Sequence, residues 1–245
     1  MSPVPKPSPL TREQRRALLA RLSPLANLRR ILGEVPRGSP LGQEALAVLG
    51  ANALVLLLAL LMQGLLGELV WAFFWQSAIG WTLMLRRIRR LERADLAGLT
   101  LPAGHAPEQF LRGLRAVMPF ILGFTGLAVH LFYALMLLAV GARWPEGSGW
   151  LWLAVALLAL RAWLAHRGQL EQDRREPPVL LAAAYTPFLA LPVIHLLPLL
   201  AVLLGDSRLL LAAFVTLRAA FELICLDYER QFAAVLREAE RLERR

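Results

Sequence analysis

The sequence predicts an all-α membrane protein, built as a bundle of six transmembrane helices. Of its 245 residues, 57% are apolar, and the mean hydropathy of +0.52 is well above that of soluble domains. Leucine-rich blocks of about 20 residues, long enough to cross a bilayer, alternate with arginine-rich segments. Because hydrocarbon offers no hydrogen-bond partner to an unpaired backbone, each block must form a helix.

Residues 1–40 are predicted to be a cytoplasmic extension, disordered at first and then amphipathic. Its first residues are rich in proline. Thr11 and Gln14 have the spacing of a capping box, and Pro24 should divide the following segment into two short helices. Leucines recur at helical intervals with arginines on the opposite face. These helices therefore either lie along the inner membrane surface or are solvated helices packed on the protein's own cytoplasmic loops.

The transmembrane domain is assigned to residues 41–226, and a charged helical tail follows at residues 227–245. Only Gln63 and Gly64 separate the first two apolar blocks, which predicts a tight helical hairpin. The sixth span should continue into the tail without a break. The six spans lie roughly at residues 44–63, 66–85, 117–140, 150–165, 183–204 and 208–226.

The basic residues predict an orientation. Of the 27 lysines and arginines, only Arg143 and Arg208 fall on the side of the spans away from the termini, while Arg161 and Arg218 lie within spans. The positive-inside rule then places both termini in the cytoplasm, as in a multi-pass protein of the bacterial inner membrane. With a net charge of +9, the basic segments should contact anionic lipid headgroups, and nucleic acid is not an expected partner.

Polar side chains in the middle of the spans are costly to expose to lipid, so we expect them to face one another. Such a layer either only fixes helix packing or also contacts a ligand or an ion, and the residues leave both readings open. Asn52 of the first span belongs with it, whereas Arg161 is expected to extend to the headgroups. The predicted buried polar layer comprises Gln76, His130, His195, Arg218 and Glu222.

The sequence also bears on three other classes of protein. His130 and His195, at similar depth on different helices, could together ligate one haem b or one metal ion; no cofactor is predicted otherwise. A retinal protein is excluded because Lys6, the only lysine, lies outside the spans. Ser148, before the fourth span, loosely suggests an intramembrane protease, but the sixth span lacks the histidine that such an enzyme needs. We therefore expect a protein that is not an enzyme.

Three stretches carry a resemblance to a known family: "WQSAIG" at Trp75–Gly80, "FILGFTGLAVHLF" in the third span, and "IHLLPLLAVLLG" in the fifth. Over spans two to six, the chain resembles an uncharacterised prokaryotic integral-membrane family, domain of unknown function 6498. The resemblance implies a six-span protein that keeps polar residues in the membrane, and it implies no activity. The expected role is a subunit or a small transport or permeation protein, with a membrane protein partner or a second copy of the chain.

Overall fold

The computed structural model describes residues 11–99, 106–139, 141, 149–186, 188 and 207–243. Within these ranges the fold is all-helical, as the sequence predicts. A further helical run covers residues 180–186. The named helices are α1 (Arg12–Arg21), α2 (Pro24–Gly33), α3 (Pro40–Leu61), α4 (Leu66–Arg90), α5 (Pro107–Ala139), α6 (Gly149–Arg175), α7 (Arg208–Leu226) and α8 (Tyr228–Glu243).

Among the helices that the structure describes, four stretches are long and apolar enough to cross a membrane. They are α3, α5, α6, and α7 continued by α8. The predicted fifth span, residues 183–204, lies almost wholly outside the described residues. The outer face of α5 is a band of large apolar side chains, and Phe120, Phe124 and Leu127 are each more than two-thirds exposed. An apolar surface of this extent is stable in lipid and costly in water, and together with the four long apolar helices it indicates a membrane protein.

Helix α4 has 25 residues but is not among the four, because Glu68 and Gln76 lower its hydropathy. It packs against both α5 and α6. The side chains of Leu69, Trp71 and Phe73 are at most 2% exposed and lie in the main apolar core. Protein rather than lipid therefore surrounds most of α4, which explains how it tolerates polar residues.

Several helices extend beyond the predicted spans. Helix α5 begins at Pro107 rather than near residue 117, and α6 continues to Arg175 rather than ending near residue 165. Hydropathy falls where charged residues begin, but the backbone stays helical through them. The bundle thus has a basic end, where α4 and α6 finish among arginines, and an opposite end at the α3–α4 hairpin and the start of α7.

The capping box of Thr11 and Gln14 and the helix break at Pro24 are both confirmed. The expected unbroken passage from the last span into the tail is wrong, since α7 ends at Leu226 and Asp227 is not helical. Asp227 is buried and its carboxylate accepts a hydrogen bond from Arg30 of α2. Beyond Asp227, α8 packs against α1.

The two N-terminal helices pack on the last two helices of the protein, and their position along the inner membrane surface stays a prediction. Helix α2 contacts α7, and α1 contacts α8. Asn27 donates a hydrogen bond to the backbone oxygen of Ile224 at 2.7 Å, and Ile31 packs with Val48 and Leu223. The N-terminal segment is therefore part of the folded bundle.

Candidate functional site

Five polar side chains from four helices meet in the middle of the bundle. Gln76 and Arg218 each lie ten residues beyond the first residue of their helix, α4 and α7, and both helices start at the opposite end. At about 1.5 Å per residue, each is about 15 Å below that end, near the centre of a hydrocarbon layer about 30 Å thick. We call this group the polar cluster: Asn52 of α3, Gln76 of α4, Arg161 of α6, and Arg218 and Glu222 of α7.

The carboxylate of Glu222 is the centre of the polar cluster. Its Oε2 accepts hydrogen bonds from Arg161 and from Asn52 Nδ2, the latter at 3.0 Å. Its Oε1 accepts from Gln76 Nε2 at 2.9 Å and from Arg218 Nη2 at 3.1 Å. Because a helical side chain leans toward the N-terminus of its helix, Glu222 reaches back up α7 toward Arg218. One carboxylate thereby joins α3, α4, α6 and α7 through charge-assisted hydrogen bonds.

Only one nitrogen of the Arg218 guanidinium, Nη2, makes hydrogen bonds with described residues. Its Nη2 donates to Gln76 Oε1 and to Glu222 Oε1, and its guanidinium carbon lies 3.7 Å from the centre of the Phe73 ring, in a cation–π contact. The residue is 4% exposed. Nevertheless, among the residues that the structure describes, neither Nε nor Nη1 has a hydrogen-bond partner. A buried polar group without a partner costs about 1–3 kcal/mol, and a charged group costs more.

The polar cluster also carries an excess positive charge. Arg161 and Arg218 share the single carboxylate of Glu222. Glu44, near the start of α3, is within electrostatic range of Arg161, but it forms no ion pair with it within the described part of the chain. Removing one partner of a buried ion pair costs about 3–5 kcal/mol, which sets the scale for an uncompensated charge in such a place. With two guanidinium nitrogens, which carry three N–H donors, unpartnered among the described residues, and with this excess charge, the arrangement has the chemistry to bind an anion.

The structure brings together Gln76, Arg218 and Glu222 of the predicted polar layer. It places His130 elsewhere, on α5 beside α4. One ring nitrogen, Nδ1, lies 2.7 Å from the Gly126 backbone oxygen, and the other, Nε2, lies 3.0 Å from Ser77 Oγ. Both nitrogens thus have protein partners, and a metal or a haem would displace one of them.

His195 lies outside the residues that the structure describes, so its pairing with His130 as a metal or haem ligand stays a prediction. Among the described residues, no group of three or more histidine, cysteine, aspartate or glutamate side chains is arranged to hold a metal ion.

The sequence-based expectation for Arg161 is wrong. Instead of extending to the lipid headgroups, it donates to Glu222, and its side chain is 20% exposed. The error came from the predicted end of the fourth span near residue 165, because that end put Arg161 next to the headgroups. The helix in fact continues to Arg175. Arg161 is therefore close to the midpoint of α6, and a reading of helix length through the charged residues would have placed it there.

A family model described as a family of unknown function (DUF6498) matches residues 35–245, and the chain belongs to that family. The match confirms the resemblance seen in spans two to six and extends it to the first span. Searches among curated proteins and among solved structures find no match.

Proposed function

We propose that this member of the DUF6498 family is a non-enzymatic, multi-pass protein of the bacterial inner membrane, with six spans and both termini in the cytoplasm, and that its polar cluster binds a small anion on a permeation route. The orientation is supported by the basic end, where α4 and α6 finish among arginines. The apolar outer face of α5 supports the membrane setting. The chain's family assigns no activity, so the proposal depends on the chemistry of the polar cluster.

The observation that carries the proposal is the contrast between Arg218 and Arg87 in the same bundle. The Nε, Nη1 and Nη2 atoms of Arg87 all donate hydrogen bonds, at 2.7–2.8 Å, to two carboxylates, those of Asp173 and Glu229. Arg87 therefore has the environment of an arginine that serves packing. Arg218 uses one nitrogen and shares one carboxylate with Arg161, so its environment is incomplete. An anion would accept from Nε and Nη1 and would neutralise the excess charge.

An approach to the polar cluster exists on the side of α2. A groove of about 330 Å³ lies between α2, α3 and α7 and reaches Asn52. Its walls are mostly apolar, formed by side chains such as Leu49, Val215 and Ala219. A groove of this size and polarity admits a small, weakly hydrated anion more readily than a large or multiply charged one.

Reconstitution into liposomes tests the proposal. Efflux of chloride, nitrate or formate would be followed with an ion-selective electrode after valinomycin sets a membrane potential. We expect efflux above that of empty liposomes for at least one of these anions. Arg218→Gln should lower the rate of anion efflux about tenfold or more, which corresponds to a loss of about 1.4 kcal/mol in the stabilisation of the bound anion.

Thr82→Val is the matched control. Thr82 lies on α4, the helix that carries Gln76, its side chain is exposed, and its hydroxyl donates to the backbone oxygen of Ala78. This variant should conduct like the wild type. Efflux equal to that of empty liposomes for every anion, or unchanged efflux in Arg218→Gln, would contradict the proposal.

A further inference from the structure

A second positively charged site lies at the basic end, between the last turns of α4 and α6. Arg87 Nε and Nη2 each bond one oxygen of Asp173 at 2.7 Å, and these bonds hold the two helix ends side by side. Just beyond this pair is a cavity of about 680 Å³. Arg90 and Arg93 line it from the α4 side, and Arg174 and Arg175 line it from the α6 side.

Among the residues that the structure describes, no carboxylate is paired with these four arginines. Within the described residues, none of them makes an ion pair or a side-chain hydrogen bond. Two carboxylates also line the cavity, but both oxygens of Asp173 are already bonded to Arg87. That leaves Glu92 as the available acid. Four exposed cations and one carboxylate, that of Glu92, give the cavity a positive potential that favours the binding of an external anion.

Arg237, another arginine at the basic end, is paired with carboxylates, unlike the four arginines of the cavity. Arg237 of α8 donates to Asp95 at 2.7 Å and to Glu176 at 3.2 Å. The hydrogen bond to Asp95 raises the pKa of Arg237 above its ordinary value, with the Glu176 hydrogen bond adding to the effect. Arg237 of α8 is thus paired with protein carboxylates, whereas the four arginines of the α4–α6 cavity are unpaired within the described residues.

The cavity lies at the depth of lipid headgroups. Helix α4 runs for 25 residues from the opposite end to Arg90, which is about 37 Å at 1.5 Å per residue. A hydrocarbon layer is about 30 Å thick, so Arg90 lies just outside it. One guanidinium group can donate two parallel hydrogen bonds to two oxygens of a phosphate. Arginines at helix ends that face an anionic leaflet bind lipid headgroups in this way.

The surface of α6 leads from the cavity into the membrane. Leu160, Trp163, Arg167, Leu170 and Arg174 are spaced three or four residues apart and share one face of the helix. Leu160 and Trp163 are 53% and 42% exposed, and the guanidinium of Arg167 lies 5.0 Å from the Trp163 ring. The face is apolar where it lies in lipid and basic where it reaches the cavity, as the acyl chain and headgroup of one phospholipid require.

From these observations we infer that the α4–α6 cavity is a binding site for the phosphate headgroup of an anionic phospholipid, whose acyl chain lies along the Leu160–Trp163 face of α6. This inference rests on the membrane orientation in the proposed function but not on anion permeation. Its ligand is a lipid, and its residues are distinct from the polar cluster.

Native mass spectrometry and thermal unfolding of the detergent-purified, full-length protein test the site. We expect phosphatidylglycerol to remain bound and to raise the melting temperature, and phosphatidylcholine to do neither at the same concentration. A measurement with inorganic phosphate distinguishes a lipid site from a site for a free anion. Inorganic phosphate should not change the melting temperature at millimolar concentration. A shift as large as that given by phosphatidylglycerol would overturn the assignment to a lipid.

The variant for this test replaces all four cavity arginines, Arg90, Arg93, Arg174 and Arg175, with glutamine. At about 1 kcal/mol for each basic residue near an anionic surface, phosphatidylglycerol affinity should fall at least tenfold. The matched control replaces Arg12, Arg15, Arg16 and Arg29, which are exposed on α1 and α2, and removes the same charge. Equal losses in the two variants would mean a nonspecific surface effect and would overturn the site.

Wild-type protein without preference for phosphatidylglycerol over phosphatidylcholine would overturn the site without any variant. The two proposals can fail separately. Lost lipid preference with intact anion efflux counts against the cavity alone, and lost efflux with intact lipid preference counts against the polar cluster alone.

Discussion

Arg161 of α6 and Glu222 of α7 form an ion pair in the middle of the bundle, and their side chains are 20% and 11% exposed. The same carboxylate also accepts from Arg218, one turn earlier on α7. Two cations therefore depend on one anion at a depth where water is scarce. The shared carboxylate links α6 to α7, and it leaves the polar cluster with more positive than negative charge.

Glu222→Gln should be strongly destabilising. The substitution keeps the size of the side chain but leaves two buried guanidinium groups without a counter-charge, and loss of one partner from a buried pair costs about 3–5 kcal/mol. Unfolding in mixed micelles with increasing SDS would measure the loss of free energy. Thr216→Val on the same helix should change it by less than about 0.5 kcal/mol. Equal stability of Glu222→Gln and wild type would show that Glu222 is not an essential counter-ion.

Arg161→Gln should cost more stability than Arg167→Gln. Arg161 donates to Glu222 inside the bundle, whereas Arg167 is exposed and lies over Trp163. We expect about 1–3 kcal/mol for Arg161, the range for a hydrogen bond to a charged group, and less than about 1 kcal/mol for Arg167. The same SDS titration measures both. A reversed order would mean that Arg161 reaches the headgroups after all.

Gly126→Ala should destabilise the α4–α5 contact. A Cβ at this position would lie 1.9 Å from Nε1 of Trp81, whose N–H donates to the Leu122 backbone oxygen at 2.9 Å. Forcing an extra methyl into a packed site costs about 1–3 kcal/mol. Gly123→Ala is the control on the same helix, since its Cβ would meet Leu85 at 3.7 Å, an ordinary contact. If both variants unfolded alike, the close approach of Trp81 would be in doubt.

Purified protein should be colourless and should keep its melting temperature after treatment with a chelator. Both ring nitrogens of His130 already have protein partners, Gly126 and Ser77. The measurements are a visible absorption spectrum and metal analysis. A haem absorption band lost in His130→Ala and in His195→Ala, or a stoichiometric metal, would instead establish the histidine-ligand alternative.

Much of the fold is predictable from the sequence because the alternation of apolar and basic segments has one physical cause, the thickness of the bilayer. The ends of the helices were less predictable. Hydropathy marks where lipid ends, while hydrogen bonds keep the backbone helical further, as α6 does to Arg175. That difference put Arg161 at the wrong depth. The break at Asp227 depends on Arg30, which is distant in sequence, and no local signal predicts the contact.

The candidate site was accessible from the sequence in part. Arg218 and Glu222 are neighbours on one helix turn, and polar residues in lipid must find each other, so their grouping with Gln76 follows from burial. The unequal sharing of Glu222 does not follow, because it depends on Arg161 being close to the same carboxylate. His130 has a local partner in Gly126, one turn earlier, and this contact competes with any longer-range grouping.

The central claim, that the polar cluster is an anion site, is tested most directly by anion binding to purified protein. Melting temperature would be measured against chloride, nitrate and formate at constant ionic strength, with gluconate as the replacement. We predict a saturable rise with at least one small anion in wild type and in Thr82→Val, and none in Arg218→Gln. An anion site at the polar cluster is contradicted if no small anion raises the melting temperature, or if Arg218→Gln shows the same rise in melting temperature as wild type.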